Sequence, residues 1–223
     1  MTLRAWLEML PVEVLRVRPV LCNGLAGALL STGTFEGVEP LLLDAQRWLD
    51  RTADGPSEGR EMPSGMVVAD DEEFRRLPAG VAVHRAGLAL VRGDVDTAVG
   101  FARRALDLVL EDDHLARGAA SALLGLAAWT TGNLEVAHAS YAECLVHLEQ
   151  VGHVSDVLGC SIALADIQLV RGHLIAAMRT FERALQLASR QEGAVLRGTV
   201  DMHVGMGLCT TSSTTWVPPD GRW

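Results

Sequence analysis

The sequence contains no lysine, since all 19 of its basic residues are arginine. A Walker-type nucleotide loop uses lysine to reach the phosphates and Schiff-base enzymes use a lysine amine, so neither chemistry can reside on these residues. GxSxG, HExxH and a GxGxxG after a strand are also absent. We therefore expect a non-catalytic protein without a cofactor.

Aromatic residues are scarce, at 4%, although 49% of the residues are hydrophobic. The core must therefore consist largely of alanine, leucine and valine, a composition typical of helices. The longest apolar runs, residues 119–130 and 157–170, are too short to span a bilayer. Acidic residues interrupt the amino-terminal segment where a signal peptide has its apolar core. We expect a cytoplasmic protein that does not enter the membrane.

The charge and the reactive side chains exclude further classes. The net charge is −9 and no arginine stripe is present, so direct nucleic-acid binding by this segment is not expected. No two histidines have the i, i+4 spacing of a helical metal site, which favours solvated or capping histidines and no metal. The cysteines have no CxxC spacing and are predicted to be buried thiols in a reducing compartment: Cys22, Cys144, Cys160 and Cys209.

Three glycines, Gly93, Gly132 and Gly172, lie 39 and 40 residues apart, each between two amphipathic runs. The same residue types recur two, five, nine and twelve positions after each glycine: Val95, Leu134 and Leu174; Ala98, Ala137 and Ala177; Ala102, Tyr141 and Phe181; Ala105, Cys144 and Ala184. These spacings place the side chains on one face of a helix. Each unit is therefore predicted to be a helical hairpin whose glycine is left-handed.

Weaker copies of the repeat lie on both sides of these three. Gly33 is followed by Phe35, Val38, Leu42 and Ala45 at similar offsets, and a half copy after Ser189 predicts a helix from about Ala194 to Leu208. A hairpin cannot bury its apolar face alone, whereas stacked hairpins share a continuous core. The sequence therefore predicts an all-α fold of antiparallel, tetratricopeptide-like hairpins stacked as a right-handed superhelical solenoid. An ordinary helical bundle is the alternative.

The repeat spacing also predicts the domain boundaries. Residues 1–50 form the first hairpin with a leading helix, and residues 78–208 form hairpins two to four plus the half repeat. Between them, residues 51–77 read as an exposed loop and connector, either a tolerated insertion or a functional lid. The acidic runs at 70–73 and 111–114 are expected at helix amino termini rather than in a catalytic site. Residues 209–223 read as an irregular tail.

The glycine, alanine, aromatic, alanine order matches the second half of the tetratricopeptide repeat. Several longer segments, among them WLEMLPVEVLRVRPVLC, ARRALDLVLEDDHLARGAASALLGLAAWTTGNLEVAHASYAE and GCSIALADIQLVRGHL, resemble the sensor region of MalT-like regulators of the LuxR class. The resemblance implies a central helical-repeat sensor between an ATP-binding module and a helix-turn-helix that binds DNA. Only the central part has counterparts here. Because CTTSSTTWVPPDGRW interrupts the pattern, we expect a truncated or frameshifted product.

In tetratricopeptide-like arrays, the first helices of successive hairpins line a concave surface. Its predicted positions are 13, 10, 6, 3 and 2 residues before each turn glycine, and the candidate ligand-binding residues among them are Asn23, Leu126, Trp129, Asp166 and Leu169. Trp129 could stack on a ligand or simply pack between hairpins. Asp166 needs an arginine, a ligand or water as a partner.

The bound molecule is expected to be a small inducer or a protein. A sensor region of a MalT-like regulator and a free-standing adaptor that holds a peptide or helix are both consistent with such a groove. Exposed apolar surface at the ends of the array makes self-association possible.

Overall fold

The computed structural model describes residues 10–53, 65–190 and 198–215, and these form helices and no strand. The ten described helices are α1 (Val12–Arg16), α2 (Pro19–Ser31), α3 (Val38–Ala53), α4 (Asp71–Val91), α5 (Val95–Leu108), α6 (His114–Thr130), α7 (Leu134–Gln150), α8 (Val154–Val170), α9 (Leu174–Ser189) and α10 (Thr199–Thr215). The all-α prediction is confirmed. The chain divides into two compact units, Met1–Leu123 and Leu124–Trp223, with the boundary inside α6.

The four turn glycines adopt the same left-handed conformation. Gly33, Gly93, Gly132 and Gly172 have φ of 72°, 78°, 77° and 77°. At each corner the glycine N–H donates to the carbonyl three residues earlier, and the following N–H donates to the carbonyl five residues earlier. This pair of bonds is the Schellman arrangement that ends a helix. The prediction that these glycines form equivalent corners of successive hairpins is confirmed.

The residue after two of these glycines caps the second helix of its hairpin. Asp94 Oδ1 accepts from the Thr97 N–H at 3.1 Å, and Asn133 Oδ1 accepts from the Val136 N–H at 3.2 Å. Each bond satisfies an amide that has no partner within the helix. One helix therefore ends and the next begins within three residues.

Two glycines of the second hairpin should respond to alanine in opposite directions. Gly93→Ala forces a Cβ into the left-handed region and should lower the free energy of unfolding by about 1–2 kcal/mol. Gly100 lies inside α5 with open space around its Cα, so Gly100→Ala should raise it by up to about 1 kcal/mol. Urea denaturation of the two variants tests this difference, and a stabilising Gly93→Ala would contradict the turn assignment.

Unit 1 contains two hairpins, α2–α3 and α4–α5, with α2 also packed against α4. The predicted face of α3 is fully buried, with Val38, Leu42 and Ala45 exposed by at most 1%. These side chains join a core with residues of α2 and α4, among them Cys22, Leu25, Leu29, Leu77 and Val81. Burial of this apolar area is the main stabilising term of the unit.

Unit 2 is built in the same way, with α7 on α8, α8 on α9, and α9 on α10. Ala177, Phe181 and Ala184 of α9 are buried, as their offsets predicted, and pack with Leu158 of α8 and Met202 of α10. A Cβ at Gly205 would lie 2.8 Å from Cε2 of Phe181. The glycine inside α10 is therefore required for the close approach of the Phe181 ring.

Two predicted boundaries were wrong. Helix α3 continues to Ala53 and α4 begins at Asp71, so the second hairpin starts before residue 78, whereas residues 54–64 lie outside the described ranges. The reason is the acidic run itself, because Asp70 accepts from the N–H groups of Glu72 and Glu73 and starts the helix. Asp113 similarly accepts from the Ala116 N–H at 3.0 Å at the start of α6. Both acidic runs therefore have the predicted role at helix starts.

The second boundary concerns the end of the last helix. Helix α10 continues to Thr215, so residues 209–215 are helical and not irregular as predicted. Threonine and serine have only moderately unfavourable helix propensity, and the first proline after this run is Pro218. Residues 191–197 and 216–223 lie outside the described ranges, and with them the predicted start near Ala194.

Candidate ligand-binding site

A pocket of about 350 Å³ opens in unit 1 among α2, α4 and the first turns of α6. Five of its lining residues occupy positions 13 or 10 residues before a turn glycine: Val20, Asn23, Gly80, Val83 and Ala119. The first helices of three successive hairpins therefore meet at one space. Of the five candidate residues, only Asn23 lines this pocket.

Small residues keep the pocket open. Gly24 and Gly80 line it from α2 and α4, and Ala116 and Ala119 line it from α6. Larger side chains at these positions would fill the space between the helices. Apolar side chains form most of the remaining wall, with Val20, Leu77, Val83 and Leu115 among them. A mostly apolar wall with few polar groups is typical of small-molecule sites.

The polar centre of the pocket is a hydrogen bond between two helices. Nδ1 of His84 in α4 lies 2.8 Å from Oδ1 of Asn23 in α2. An amide oxygen accepts only, so the proton is on Nδ1 and Nε2 of His84 is an acceptor. Each side chain lies over a glycine of the opposite helix, because a Cβ at Gly27 would lie 2.6 Å from Nε2 of His84 and a Cβ at Gly80 would lie 2.7 Å from Nδ2 of Asn23. Two glycines thus make room for the pair.

The environment of His84 keeps its ring neutral. Burial lowers the pKa of His84 from 6.5 to about 4, because a charged imidazolium would lose its hydration. At neutral pH the pocket therefore presents an uncharged donor and acceptor pair. We had expected the histidines to be solvated or capping, and for His84 this was wrong. The signal in the sequence was its place within the apolar run AGVAVHRAGLAL.

Arg76 at the rim of the pocket is paired with two carboxylates, whereas Glu73, which also lines the rim, has no ion pair among the described residues. The Arg76 guanidinium donates to Glu72 at 2.6 Å and to Asp112 at 3.0 Å, joining α4 to the turn before α6. The two carboxylate side chains are 58% and 69% exposed, so these pairs contribute little stability. Asp113, the residue after Asp112, lines the pocket and caps α6. An anionic ligand would therefore have to compete with the carboxylates already bound to Arg76.

A second pocket of about 290 Å³ lies among α3, α4 and α5. Its lining includes Arg85, Phe101 and Arg104. The guanidinium carbon of Arg85 lies 5.5 Å from the centroid of the Phe101 ring, a cation–π contact. Only one first helix, α4, lines this second pocket, whereas three first helices meet around Asn23.

In unit 2, the Trp129 ring packs against the Tyr141 ring. The two rings meet edge to face, with centroids 6.5 Å apart and an interplanar angle of 88°. Gly125 allows this arrangement, since a Cβ there would lie 2.8 Å from Cδ2 of Tyr141. The contact joins α6 to α7 within one hairpin, not two hairpins as the packing interpretation supposed. Leu126, on the same helix, is 41% exposed.

Asp166 and Leu169 of α8 have different environments. Leu169 packs against the core that contains Ala165 and Phe181. Asp166 is partly buried, and this burial raises the pKa of its carboxyl group above the ordinary value. No ion pair to Asp166 is present among the residues that the structure describes. Its ligand-binding role stays a prediction.

A polar chain that the sequence did not reveal crosses unit 2. Thr180 Oγ1 donates to Oε1 of buried Gln168 at 2.9 Å, and Nε2 of Gln168 lies 3.4 Å from Nε2 of His138. The three residues belong to α9, α8 and α7. The amide nitrogen donates, so Nε2 of His138 is the acceptor. Burial lowers the pKa of His138, and the charges of Arg171 and His173 lower it further. These three hydrogen-bonded side chains connect three consecutive helices through uncharged groups.

The described residues contain neither a metal-binding cluster nor a membrane-spanning helix. Among residues 10–53, 65–190 and 198–215, no group of three or more histidine, cysteine or carboxylate side chains is placed to hold a metal ion. None of the helices in the same ranges is long and apolar enough to cross a membrane.

A family model for the MalT-like TPR region matches residues 79–208, more than half of the chain. The chain belongs to this family. The matched part of the MalT-like TPR region starts within α4, so it includes Gly80 and His84 but not Asn23. A comparison with curated proteins gives no match.

The fold is similar to that of solved structures. The crystal structure of BtubC (BKLC) from P. vanneervenii is similar to this chain with a TM-score of 0.63 and 18% sequence identity. The similarity covers 87% of this chain and 72% of that one. At this identity the likeness shows the fold alone.

Proposed function

We propose that this MalT-like TPR region is a non-catalytic, cytoplasmic binding module that holds a small effector in the pocket around Asn23 and His84. The observation that carries the proposal is the junction itself. Three first helices enclose about 350 Å³ of mostly apolar space around one neutral polar pair. Apolar pockets with a few convergent polar groups are the usual form of a small-molecule site.

The pocket chemistry favours a particular class of effector. Arg76 is already paired with Glu72 and Asp112, so an anionic ligand would have to break these ion pairs. Beyond their mutual hydrogen bond, the pair has an acceptor at Nε2 of His84, over Gly27, and an amide donor at Nδ2 of Asn23, over Gly80. We therefore expect a neutral molecule with an apolar body and a hydroxyl or amide group. A helix or peptide of a partner protein would also meet this surface, but the pocket volume of about 350 Å³ is of the size that small molecules occupy.

The proposed mechanism is a change in the arrangement of hairpins within unit 1. A ligand that contacts α2, α4 and α6 together favours whichever arrangement of the three helices fits it best. In a MalT-like regulator of the LuxR class, this change would bias an attached ATP-binding module and DNA-binding helix-turn-helix. The family assignment of residues 79–208 supports this context.

A free-standing adaptor is the second candidate. The neighbouring reading frames separate the two candidates. An upstream GxxxxGK[ST] motif and a downstream LuxR-type helix-turn-helix support the regulator, and their absence supports the adaptor. Translation of the alternative frames after Leu208 tests the frameshift hypothesis in the same experiment.

Pocket occupancy is tested with a matched pair of variants. Ala119→Phe fills the pocket, whereas Ala139→Phe adds the same side chain at an exposed position of α7. A library of small neutral compounds is screened by thermal shift on the unmodified chain. Hits should raise the melting temperature of Ala139→Phe but not of Ala119→Phe, each measured against its own ligand-free value. Equal stabilisation of both variants would reject this pocket as the site.

Self-association through α10 is a further expected property. Val200 and Val204 are 67% and 60% exposed and lie one turn apart. The position of Val204 corresponds to Leu164 in α8, which is 6% exposed because neighbouring helices cover it. The uncovered apolar strip can pair with the same strip of a second copy, an arrangement that is self-complementary.

Charged substitutions on α10 test this association. Val200→Glu combined with Val204→Glu should shift the chain toward monomer in sedimentation velocity at a fixed concentration. Val136→Glu, at an exposed position of α7, is the control and should leave the distribution unchanged. A monomeric unmodified chain, or equal effects of both changes, would contradict association through α10.

A further inference from the structure

Two of the four cysteines, widely separated in sequence, meet in unit 2. Sγ of Cys144 in α7 lies 3.5 Å from Sγ of Cys160 in α8. The two helices pack directly against each other and belong to successive hairpins. Both cysteines are reduced in this structure, and Cys22 and Cys209 are also free thiols. The pair takes no part in the pocket around Asn23.

We propose that Cys144 and Cys160 are a peroxide-reactive pair that closes to an intramolecular disulfide and so fastens the third hairpin to the fourth. A disulfide requires the two sulfurs to approach to about 2.05 Å. They start at 3.5 Å, so the remaining movement is about the size that side-chain rotation and a small helix shift supply. No other helix lies between the two side chains at this distance.

The two thiols differ in access and in acidity. Cys144 is fully buried, whereas Cys160 is partly exposed. The Cys144 thiol donates its hydrogen bond to Sγ of Cys160, which lowers the pKa of Cys160 and raises that of Cys144. The thiolate is the form that reacts with oxidants, so Cys160 is the first to be attacked and Cys144 the second.

The reaction balances with one molecule of hydrogen peroxide. The Cys160 thiolate attacks one peroxide oxygen, the O–O bond breaks, and hydroxide leaves and takes a proton to become water. The product is a sulfenic acid at Cys160. Cys144 then loses its proton and attacks the Cys160 sulfur, the S–S bond forms, the S–O bond breaks, and a second water leaves. The two thiols are oxidised and the peroxide is reduced.

The repeat supplies conservative substitutions for both residues. Ala105 and Ala184 occupy the position of Cys144 in other hairpins, and Ala120 occupies the position of Cys160. All three alanines are at most 1% exposed, so alanine fits each position of the fold. Cys144→Ala and Cys160→Ala are therefore expected to fold. Cys22→Ala and Cys209→Ala serve as matched controls outside the pair.

The disulfide is detected by mass spectrometry after digestion at glutamate. Cleavage after Glu143, Glu149 and Glu182 separates the two cysteines into the peptides 144–149 and 150–182. After treatment of the full chain with hydrogen peroxide, we expect these two peptides to appear joined, with a loss of two hydrogen masses. Titratable thiols of the denatured protein should fall from four to two. Dithiothreitol should reverse both changes.

The variants decide whether the pair is responsible. Cys22→Ala and Cys209→Ala should retain the joined peptides, and Cys144→Ala should instead retain sulfenic acid at Cys160, trapped by dimedone. The proposal is overturned if the unmodified chain yields no joined peptides while thiols are lost, or if the joined species is a dimer on a non-reducing gel. It is also overturned if Cys22 or Cys209 reacts faster than Cys160.

Discussion

Phe181→Ala should lower the free energy of unfolding by about 3–5 kcal/mol, the range for removing a buried aromatic side chain. Phe181 is 1% exposed and packs with residues of α8, α9 and α10. Its removal leaves a cavity where three helices meet, and the rigid helices around it cannot collapse fully. Urea denaturation followed by circular dichroism measures the loss. A loss below about 1 kcal/mol would show that α10 is not packed on α9 as described.

The same contact makes a sharper prediction about Gly205. Gly205→Ala pushes a Cβ to 2.8 Å from Cε2 of Phe181 and should destabilise the unmodified chain by about 1–3 kcal/mol. In a Phe181→Leu background the ring is gone, so the same change should gain up to about 1 kcal/mol of helix propensity. The sign of the effect should therefore reverse between backgrounds. Stabilisation in both backgrounds would contradict the close approach of ring and helix.

Acid should unfold the protein partly through His84. The pKa of this side chain is about 4 in the folded state, against 6.5 for the ordinary group. As pH falls from 6.5 toward 4, the unfolded chain takes up a proton that the folded chain refuses, so stability falls by at most about 3 kcal/mol in this window. Below about pH 4 both states are protonated and His84 contributes no further loss.

A difference measurement isolates His84 from the other titrating groups. His84→Asn keeps a donor toward Asn23 but cannot take up a proton. The unmodified chain should lose about 2–3 kcal/mol more stability than this variant between pH 7 and pH 4.5 in urea titrations. As pH falls, protonation of His138 also lowers stability, whereas protonation of Asp166 raises it. Both residues are present in both proteins, so their effects cancel in the difference. Parallel pH curves for the two proteins would show that His84 is hydrated.

The repeat could be predicted from the sequence because its signals are local. A glycine that must be left-handed, followed by small or aromatic residues at fixed offsets, specifies a helix end and the buried face of the next helix. Gly93, Gly132 and Gly172 accordingly lie at equivalent corners, and the residues five, nine and twelve positions after them are buried, whereas those two positions after them are only partly buried. These features depend on one hairpin at a time and need no knowledge of distant contacts.

The contacts between helices could not be predicted in the same way. His84 and Asn23 are 61 residues apart, and only the opposing glycines at 27 and 80 indicate that the two helices approach so closely. Cys144 and Cys160 looked unrelated because no spacing rule connects positions on two consecutive helices. The predicted boundaries were wrong for a different reason. The repeat pattern indicated a start at residue 78 and an end at residue 208. The helix instead begins at the acidic cap Asp70, and the last helix continues to Thr215.

The candidate residues in unit 2 show where a positional rule stops being sufficient. Trp129 and Leu169 occupy the offsets predicted for a groove, yet one packs on Tyr141 and the other on a core cluster. An offset fixes the direction of a side chain on its helix, but neighbouring residues decide whether it meets solvent or another helix. Leu126 is exposed and Asp166 is partly buried, and ligand contact by these two residues stays a prediction.

The most direct test of the central claim is to map where small neutral fragments bind, using amide chemical shifts of the isotopically labelled chain. The binding account predicts that fragment shifts cluster at Asn23, Gly24, Gly80 and His84, and that Ala119→Phe abolishes them. The second pocket of unit 1, around Arg85 and Phe101, is the internal comparison. Shifts that cluster at Arg85 and Phe101 and persist in Ala119→Phe would contradict the account.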